Sequence, residues 1–304
     1  MAEPRANFVT VGRNARHAPT LDPGQPLTSA REYVKRRKIE LRYQGAFSQY
    51  DGAAYRPRDE QAVRSDVYHF LEDARRYDDQ GGLVPFDPTR SKVDNVLDAL
   101  RAVTSLPATT QAPCWLDDDP GLDPFDIMSC SNGLVHIPTR LLLPATPTFY
   151  THQAVPFAFD PDAPAPVHWQ RFVDSVLCDL ESRGLLQEWF GYLLTPSTRF
   201  QKILLWVAPA RSGKGTTFRV VRQLVGAGSY CSPSLRDLGG AFGLESLIAR
   251  SCAVVSDARM RNRTDAAAVA EQLLRISGED GPNVGRKHKT DWLGGLSTRF
   301  TLRR

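Results

Sequence analysis

Apolar positions recur at intervals of three and four in the first third of the chain. The two sets are Val63, Val67, Phe70 and Leu71, and Val93, Val96, Leu97 and Leu100. This period predicts two helices that each bury one face. Upstream of them, Asp51-Gly52 separates two short extended arms, which is typical of a β-hairpin. Together these elements predict a small α+β domain.

The middle of the chain contains two segments with different sequence patterns. Residues 105–165 hold ten of the chain's 22 prolines, so the sequence predicts loops and short strands there, with a tight turn at Asn132-Gly133. The acidic run Asp117–Asp119 precedes a Pro-Gly pair and is interpreted as a solvated turn, not as a metal-binding pair. Two apolar stripes at helical spacing follow between residues 169 and 194, which predicts a pair of helices.

A short β-type run, Ile203–Val207, opens the last third of the chain. It leads into a loop that contains Gly213-Lys214, and apolar residues at helical spacing then continue to Gly226. Strand, glycine-bearing loop, lysine and helix in this order are the context of a phosphate-binding P-loop. In such a loop the backbone N–H groups and the helix N-terminus bind phosphate oxygens, and the lysine adds a positive charge.

The predicted nucleotide-binding residues form one continuous segment. They are Ala208, Pro209, Ala210, Arg211, Ser212, Gly213, Lys214, Gly215, Thr216 and Thr217. Two positions depart from the usual pattern G-x-x-x-x-G-K-[ST], because Ala208 replaces the first glycine and Gly215 stands where a hydroxyl normally binds Mg²⁺. An alanine is acceptable at the first position if its φ is negative. Thr216 is predicted to supply the metal-binding hydroxyl.

The carboxylate that such a site needs stands 43 residues beyond Lys214. A short apolar strand from Cys252 ends at Asp257, which we predict to hold Mg²⁺. Lys214 and Asp257 are therefore the predicted catalytic residues, Thr216 and Asp257 the predicted metal ligands, and ATP and Mg²⁺ the predicted cofactors. Only one acid follows the strand, so the sequence shows no separate carboxylate to polarise water.

Charge is distributed unevenly along the chain. The formal net charge is only +4, but residues 201–304 carry +9 and residues 111–200 carry −7. A basic last third fits a polyanionic partner, either nucleotide or nucleic acid, and fits a solvated basic surface equally well.

The overall composition excludes several classes of protein. Hydrophobic residues at 41% and charged residues at 24% are ordinary for a globular protein, which excludes fibrous and wholly disordered chains. No apolar run is long enough for a membrane span, and the five cysteines are widely spaced. We therefore expect a cytoplasmic protein with no membrane partner and no cysteine-based metal cluster. The predicted segments are 1–40, a disordered basic tail; 41–165, an N-terminal α+β domain with a loop-rich second half; 166–200, a helical connector; and 201–304, a P-loop core.

The order of motifs resembles a known family, the phage and plasmid primase-helicases, which include the poxvirus-type NTPases and carry a superfamily 3 helicase domain. The motifs are Asn132-Gly133, Gly191-Tyr192, the Gly-Lys-Gly-Thr loop at 213–216, Asp257, and Ile-Ser-Gly-Glu-Asp at 276–280 followed by Arg286-Lys287. The resemblance spans residues 41–304 and is most specific over 187–289.

This resemblance implies an α/β fold with an AAA+-like P-loop NTPase core, assembled into a homo-oligomeric, usually hexameric ring that translocates on single-stranded DNA at a replication fork. It also implies that Arg286, Lys287 and Lys289 contact DNA phosphates from a hairpin in the ring's channel. In the family a later strand ends in an asparagine that senses the γ-phosphate, and an arginine finger lies beyond it. Residues 297–302 resemble the start of that strand, so the resemblance implies a core that lacks its C-terminal part.

The leading hypothesis is therefore an ATP-dependent DNA helicase or replication ATPase. One alternative is a truncated module that binds nucleotide or DNA without hydrolysing ATP. Another is a nucleotide kinase, because Gly-Lys-Gly-Thr also occurs in loops of the adenylate-kinase type. The Asp-Gly-Phe-Pro-Arg element of those enzymes is not found after this loop.

Overall fold

The structure, a computed structural model, describes residues 18–117, 119–240, 242–256, 258, 263–278, 284–287, 289–292 and 295–304. The described helices are α1 Pro26–Arg37, α2 Glu60–Glu72, α3 Arg90–Val103, α4 Val167–Val176, α5 Leu180–Leu194, α6 Lys214–Val225, α7 Leu235–Leu238 and α8 Arg263–Ser277. Within these residues, none of the helices combines the length and the apolar character that crossing a membrane requires.

The described strands are short. They are β1 Leu41–Tyr43, β2 Phe47–Tyr50, β3 Tyr55–Arg58, β4 Arg75–Tyr77, β5 Leu83–Pro85, β6 Cys114–Trp115, β7 Ile127–Cys130, β8 Gly133–His136, β9 Leu141–Leu143, β10 Phe149–Tyr150, β11 Leu204–Trp206, β12 Tyr230–Cys231, β13 Cys252–Val255, β14 Val284–Arg286, β15 Lys289–Trp292 and β16 Arg299–Arg303. The chain divides into two compact units, of which the first contains residues up to 39 and 59–105, and the second residues 40–58 and 106–304.

The first unit is built from α1, α2, α3 and the antiparallel pair β4–β5. The two predicted helices are confirmed, because α2 and α3 bury the residues whose spacing predicted them. The prediction of disorder up to residue 40 is wrong for Pro26–Arg37, which form α1. Proline is favourable at the first helical position, and Tyr33 of α1 packs edge-on against Phe70 with ring centroids 5.3 Å apart.

The second unit begins with a sheet of order β1–β2–β3, and it includes the predicted hairpin, in which Tyr50 pairs with Tyr55. This sheet is hydrogen-bonded to a segment more than 60 residues further along the chain, because the Gln44 side chain donates to the carbonyl groups of Pro107 and Thr110. These long-range bonds explain why the predicted domain 41–165 is instead divided between the two units. The turn predicted at Asn132-Gly133 joins β7 to β8, as expected.

A parallel sheet of order β11–β16–β13–β12 forms the centre of the second unit. The side chains of β13 alternate between its two faces, as the geometry of a strand requires. Cys252 and Val254 pack against α5 and α6, whereas Ala253 and Val255 pack with α7, α8 and the hairpin β14–β15. β13 is thus buried on both faces, which is the usual environment of parallel strands.

Candidate phosphate-binding site

The segment from Ala208 to Thr217, called here the Gly-Lys loop, follows β11 and includes the first turn of α6. The strand and the helix predicted around it are confirmed, and α6 ends at Gly226 as expected. Ala208 is absent from the residues with positive φ, which meets the condition for an alanine at this position. Gly213 has φ +81°, and a Cβ atom there would lie 2.7 Å from Cγ1 of Val176 in α4. Backbone conformation and packing therefore both favour glycine at 213.

The beginning of α6 points backbone donors toward the Gly-Lys loop. The N–H groups of Thr216 and Thr217 donate to the Gly213 carbonyl at 3.0 and 3.1 Å. No described residue accepts a hydrogen bond from the N–H of Lys214 or Gly215. These donors and the positive end of the helix dipole give the loop the electrostatics of an anion site.

The side chain of Lys214 folds back over the preceding part of the loop. Its Nζ donates to the carbonyl oxygen of Pro209 at 2.7 Å and also to that of Ala208. The side chain is half-buried, so its charge is held close to the loop backbone. An ammonium group with three donors exchanges such carbonyl partners for phosphate oxygens readily.

The hydroxyl groups after Lys214 differ in their surroundings. Thr217 is fully buried, and its Oγ1 donates to the Gly213 carbonyl at 3.3 Å. Thr216 is half-buried, and its Oγ1 accepts from Nη2 of the exposed Arg219 at 3.0 Å. Thr216 is therefore the more accessible hydroxyl of the two.

The ends of the neighbouring strands meet at the same edge of the sheet as the Gly-Lys loop. Ala208 N donates to the Arg304 carbonyl at 3.4 Å, and Ala258 N donates to the Arg303 carbonyl at 3.0 Å. The chain that follows β13 therefore reaches this edge of the sheet at Ser256. The predicted metal ligand Asp257 lies outside the described residues.

Arg299 fixes the position of β16 from within the core. This arginine is 2% exposed, donates to the carbonyl groups of Thr195, Ser197 and Ser251, and lies with its guanidinium carbon 5.0 Å from the ring centroid of Tyr192. Burial lowers the pKa of Arg299 to about 10. The Arg299 side chain therefore links β16 to the residues that follow α5, and the sequence alone did not predict this contact.

The predicted DNA-binding segment forms an antiparallel hairpin, β14–β15, in which Arg286 pairs with Lys289. Arg286 is 13% exposed, with its Nε 3.9 Å from Oε1 of Glu245. Lys287 is exposed, and only its backbone N–H approaches Glu245, at 3.4 Å from Oε2. The side chain of Lys289 lies outside the described part. Of the three residues predicted to contact DNA, Lys287 is thus exposed to solvent, whereas the guanidinium of Arg286 lies near the Glu245 carboxylate.

Comparison with known proteins begins with a family match. Residues 31–178 match the family described as D5 N terminal like, which is just under half of the chain. The match covers most of the first unit and the chain up to α5, and it supports the N-terminal part of the resemblance found in the sequence. No curated protein sequence matches the chain.

Solved structures extend the likeness to most of the chain. The apo structure of the NrS-1 C terminal region (305-718) aligns with a TM-score of 0.51 at 10% identity, over 92% of this chain and 57% of that one. A second structure of that region, its A form, aligns with a TM-score of 0.51 at 10% identity, over 91% of this chain and 56% of the other. The chain therefore spans a little over half of the NrS-1 region. The mixed α/β class is confirmed.

Proposed function

We propose that the chain is the nucleotide- and DNA-binding part of a phage-type primase-helicase, a replication ATPase of superfamily 3 type. The observation that carries this proposal is the Gly-Lys loop between a parallel strand and a helix, with Lys214 folded over it. The family match over residues 31–178 supports the same class of protein.

The phosphates of ATP would bind at the beginning of α6. The N–H groups of Lys214 and Gly215 donate to no described residue, and a phosphate oxygen is an acceptor that such donors favour. Lys214 would leave the carbonyl groups of Ala208 and Pro209 and bind the β- and γ-phosphates. Because the lysine is already held over the loop, little conformational entropy is lost on binding.

Mg²⁺ fits the hydroxyl and carboxylate oxygens that the sequence places here. Thr216 presents its hydroxyl in the first turn of α6, and Arg219, which donates to it, is exposed and free to turn toward solvent. Asp257 follows β13 in the sequence and would be the second metal ligand, beside Thr216. When bound, the metal supplies charge neutralisation for the phosphates.

Single-stranded DNA would lie along the β14–β15 hairpin of each subunit in a homo-oligomeric ring. Among the described side chains of the hairpin, Lys287 is exposed at the turn, whereas the charge of Arg286 is partly neutralised by Glu245. We therefore assign the main phosphate contact among the described residues to Lys287, with Lys289 as its neighbour across the turn.

The test combines ATP turnover with DNA binding. ATP hydrolysis stimulated by single-stranded DNA should be lost in Lys214→Ala and kept in Lys202→Ala, whose exposed lysine precedes β11. Lys287→Ala should reduce the salt dependence of DNA binding by about one phosphate contact, and Arg286→Ala by less. Binding of ATP and DNA without turnover would indicate a non-hydrolysing module, and phosphorylation of a nucleoside monophosphate would indicate a kinase.

A further inference from the structure

Phe200 is an exposed aromatic side chain in a tight turn between α5 and β11, formed by residues 198–201 and called here the 198–201 turn. The N–H of Gln201 donates to the Thr198 carbonyl at 2.8 Å, which closes the turn and leaves Arg199 and Phe200 as its two corner residues. Phe200 is 55% exposed, and Arg199 is exposed beside it. A single exposed ring is common on protein surfaces, but this one differs because contacts from the core hold it in place.

The 198–201 turn is supported from several sides. Arg299 donates from within the core to the Ser197 carbonyl, directly before the turn. Tyr192 of α5 packs edge-on against Phe200, with ring centroids 5.4 Å apart. Gln201 has φ +50°, a left-handed conformation that is unfavourable for a residue with a Cβ atom. Backbone strain of this kind persists where the surroundings enforce it, and such positions cluster at functional sites.

The 198–201 turn lies beside the chain that enters the β14–β15 hairpin. Nε2 of Gln201 donates to the carbonyl of Gly278, which directly follows α8, at 3.3 Å. Ile203, at the start of the chain into β11, packs against the apolar cluster that includes Val284 and Trp292 of the hairpin. The turn is therefore a neighbour of the hairpin to which DNA binding is assigned above.

The two corner residues combine a cation with an aromatic ring. The guanidinium carbon of Arg199 lies 5.0 Å from the ring centroid of Phe200, and no described carboxylate forms an ion pair with Arg199. The sequence from 195 to 206 contains no acidic residue. A single strand of nucleic acid presents phosphates along its backbone and bases whose flat faces stack on aromatic rings. A fixed ring beside an arginine matches both features.

We propose that the 198–201 turn is a second contact for single-stranded DNA, in which one base stacks on the Phe200 ring and Arg199 binds an adjacent phosphate. Because the ring is already held by Tyr192, little conformational entropy is lost when a base stacks on it. The buried Arg299 then has a function beyond stability, since it fixes the chain that carries the ring. This inference rests on the proposed function, in which DNA reaches the β14–β15 hairpin.

The experiment measures the binding of a fluorescently labelled thymidine oligonucleotide by anisotropy. Phe200→Leu removes the ring and keeps an apolar side chain beside Tyr192, Phe200→Tyr keeps the ring, and Arg199→Gln removes the charge. The control is Phe125→Leu, the same substitution at a ring that is 46% exposed elsewhere on the chain. A strand of the same length made of abasic sites separates base stacking from phosphate contacts. Thermal unfolding establishes that each variant is folded.

We expect Phe200→Leu to weaken binding of the oligonucleotide by about fivefold or more and to leave binding of the abasic strand unchanged. Phe200→Tyr and Phe125→Leu should bind like the unmodified chain. Arg199→Gln should weaken binding of both strands and lower its salt dependence by about one phosphate contact.

Two results would overturn the inference and leave the proposed function standing, provided that Lys287→Ala still weakens DNA binding. The first is equal affinity of Phe200→Leu and the unmodified chain for the oligonucleotide. The second is an equal loss of affinity of Phe200→Leu for the oligonucleotide and the abasic strand. Absence of DNA binding by the unmodified chain would overturn this inference together with the DNA-binding part of the proposed function.

Discussion

Gly213 offers a test of the local geometry of the Gly-Lys loop. The residue has φ +81°, and a Cβ atom would lie 2.7 Å from Cγ1 of Val176 and 3.1 Å from Cζ of Phe172. Gly215, two residues later, has open space around its Cβ position. The two glycines therefore form a matched pair, of which only one is required by conformation and packing.

The expected cost of Gly213→Ala has two parts. An alanine in the left-handed region costs about 1 to 2 kcal/mol, and overpacking a well-filled site costs about 1 to 3 kcal/mol. The sum of roughly 2 to 5 kcal/mol corresponds to a fall in melting temperature of roughly 5 to 15 °C for a unit of this size. Gly215→Ala should leave the melting temperature unchanged or raise it slightly, since alanine is the better helix former.

Thermal unfolding followed by circular dichroism measures both variants. A double variant, Gly213→Ala with Val176→Ala, removes the closest contact and should melt above the value expected if the two single effects were additive. Equal melting temperatures for Gly213→Ala and Gly215→Ala would refute the packing of α4 on the loop. So would strict additivity in the double variant.

Three further predictions concern other parts of the chain. Asp59 caps α2 by accepting from two backbone N–H groups, so Asp59→Ala should destabilise the first unit by about 1 kcal/mol in urea unfolding, and Asp59→Asn by less. Cys178 is exposed and should react rapidly with a thiol reagent, whereas burial raises the pKa of Cys252 to about 12, so this thiol should react only on unfolding; rapid labelling that survives Cys178→Ser would contradict this. A backbone hydrogen bond from Ser182 lowers the pKa of Asp179. The ionised Asp179 carboxylate therefore stabilises the fold above about pH 4, and this stabilisation is lost as the pH falls through the lowered pKa of the folded state. The melting temperatures of the unmodified chain and of Asp179→Asn should differ at pH 6 and converge toward pH 2.

Local sequence patterns predicted the helices, turns and strands that depend on residues close together in the chain. The helices α2 and α3 follow from apolar spacing, and the hairpin follows from Asp51-Gly52, where the Asp51 carboxylate accepts from the N–H groups of the next turn residues. The strand and helix around Lys214 follow from the glycine and the flanking apolar runs. Each of these signals depends on a few neighbouring residues.

α1 was not predicted, because its stability has a different source. The helix buries only three residues, among them Tyr33, and most of its remaining positions are polar or basic. A helix of this composition depends on packing against its neighbours more than on an apolar stripe. The α1–α3 packing joins segments more than 50 residues apart, which no local pattern reports.

The site was predicted in part for the same reason. The Gly-Lys loop is a local motif, but the position of the 198–201 turn beside the β14–β15 hairpin depends on a contact between segments more than 70 residues apart. The contact of Val176 with Gly213 likewise depends on how α4 packs against the loop. Sequence analysis predicted the strand that carries Arg299, and the structure revealed that this side chain reaches the residues before the 198–201 turn.

Direct binding of Mg²⁺-ATP to the purified chain tests the central claim, that the Gly-Lys loop binds nucleotide phosphates. Titration calorimetry should show binding by the unmodified chain and by Lys202→Ala with similar affinity. Lys214→Ala should weaken it about tenfold or more, because a charge-assisted hydrogen bond contributes about 1.5 to 3 kcal/mol. Equal affinities of the unmodified chain and Lys214→Ala, or no binding by either, would contradict the claim.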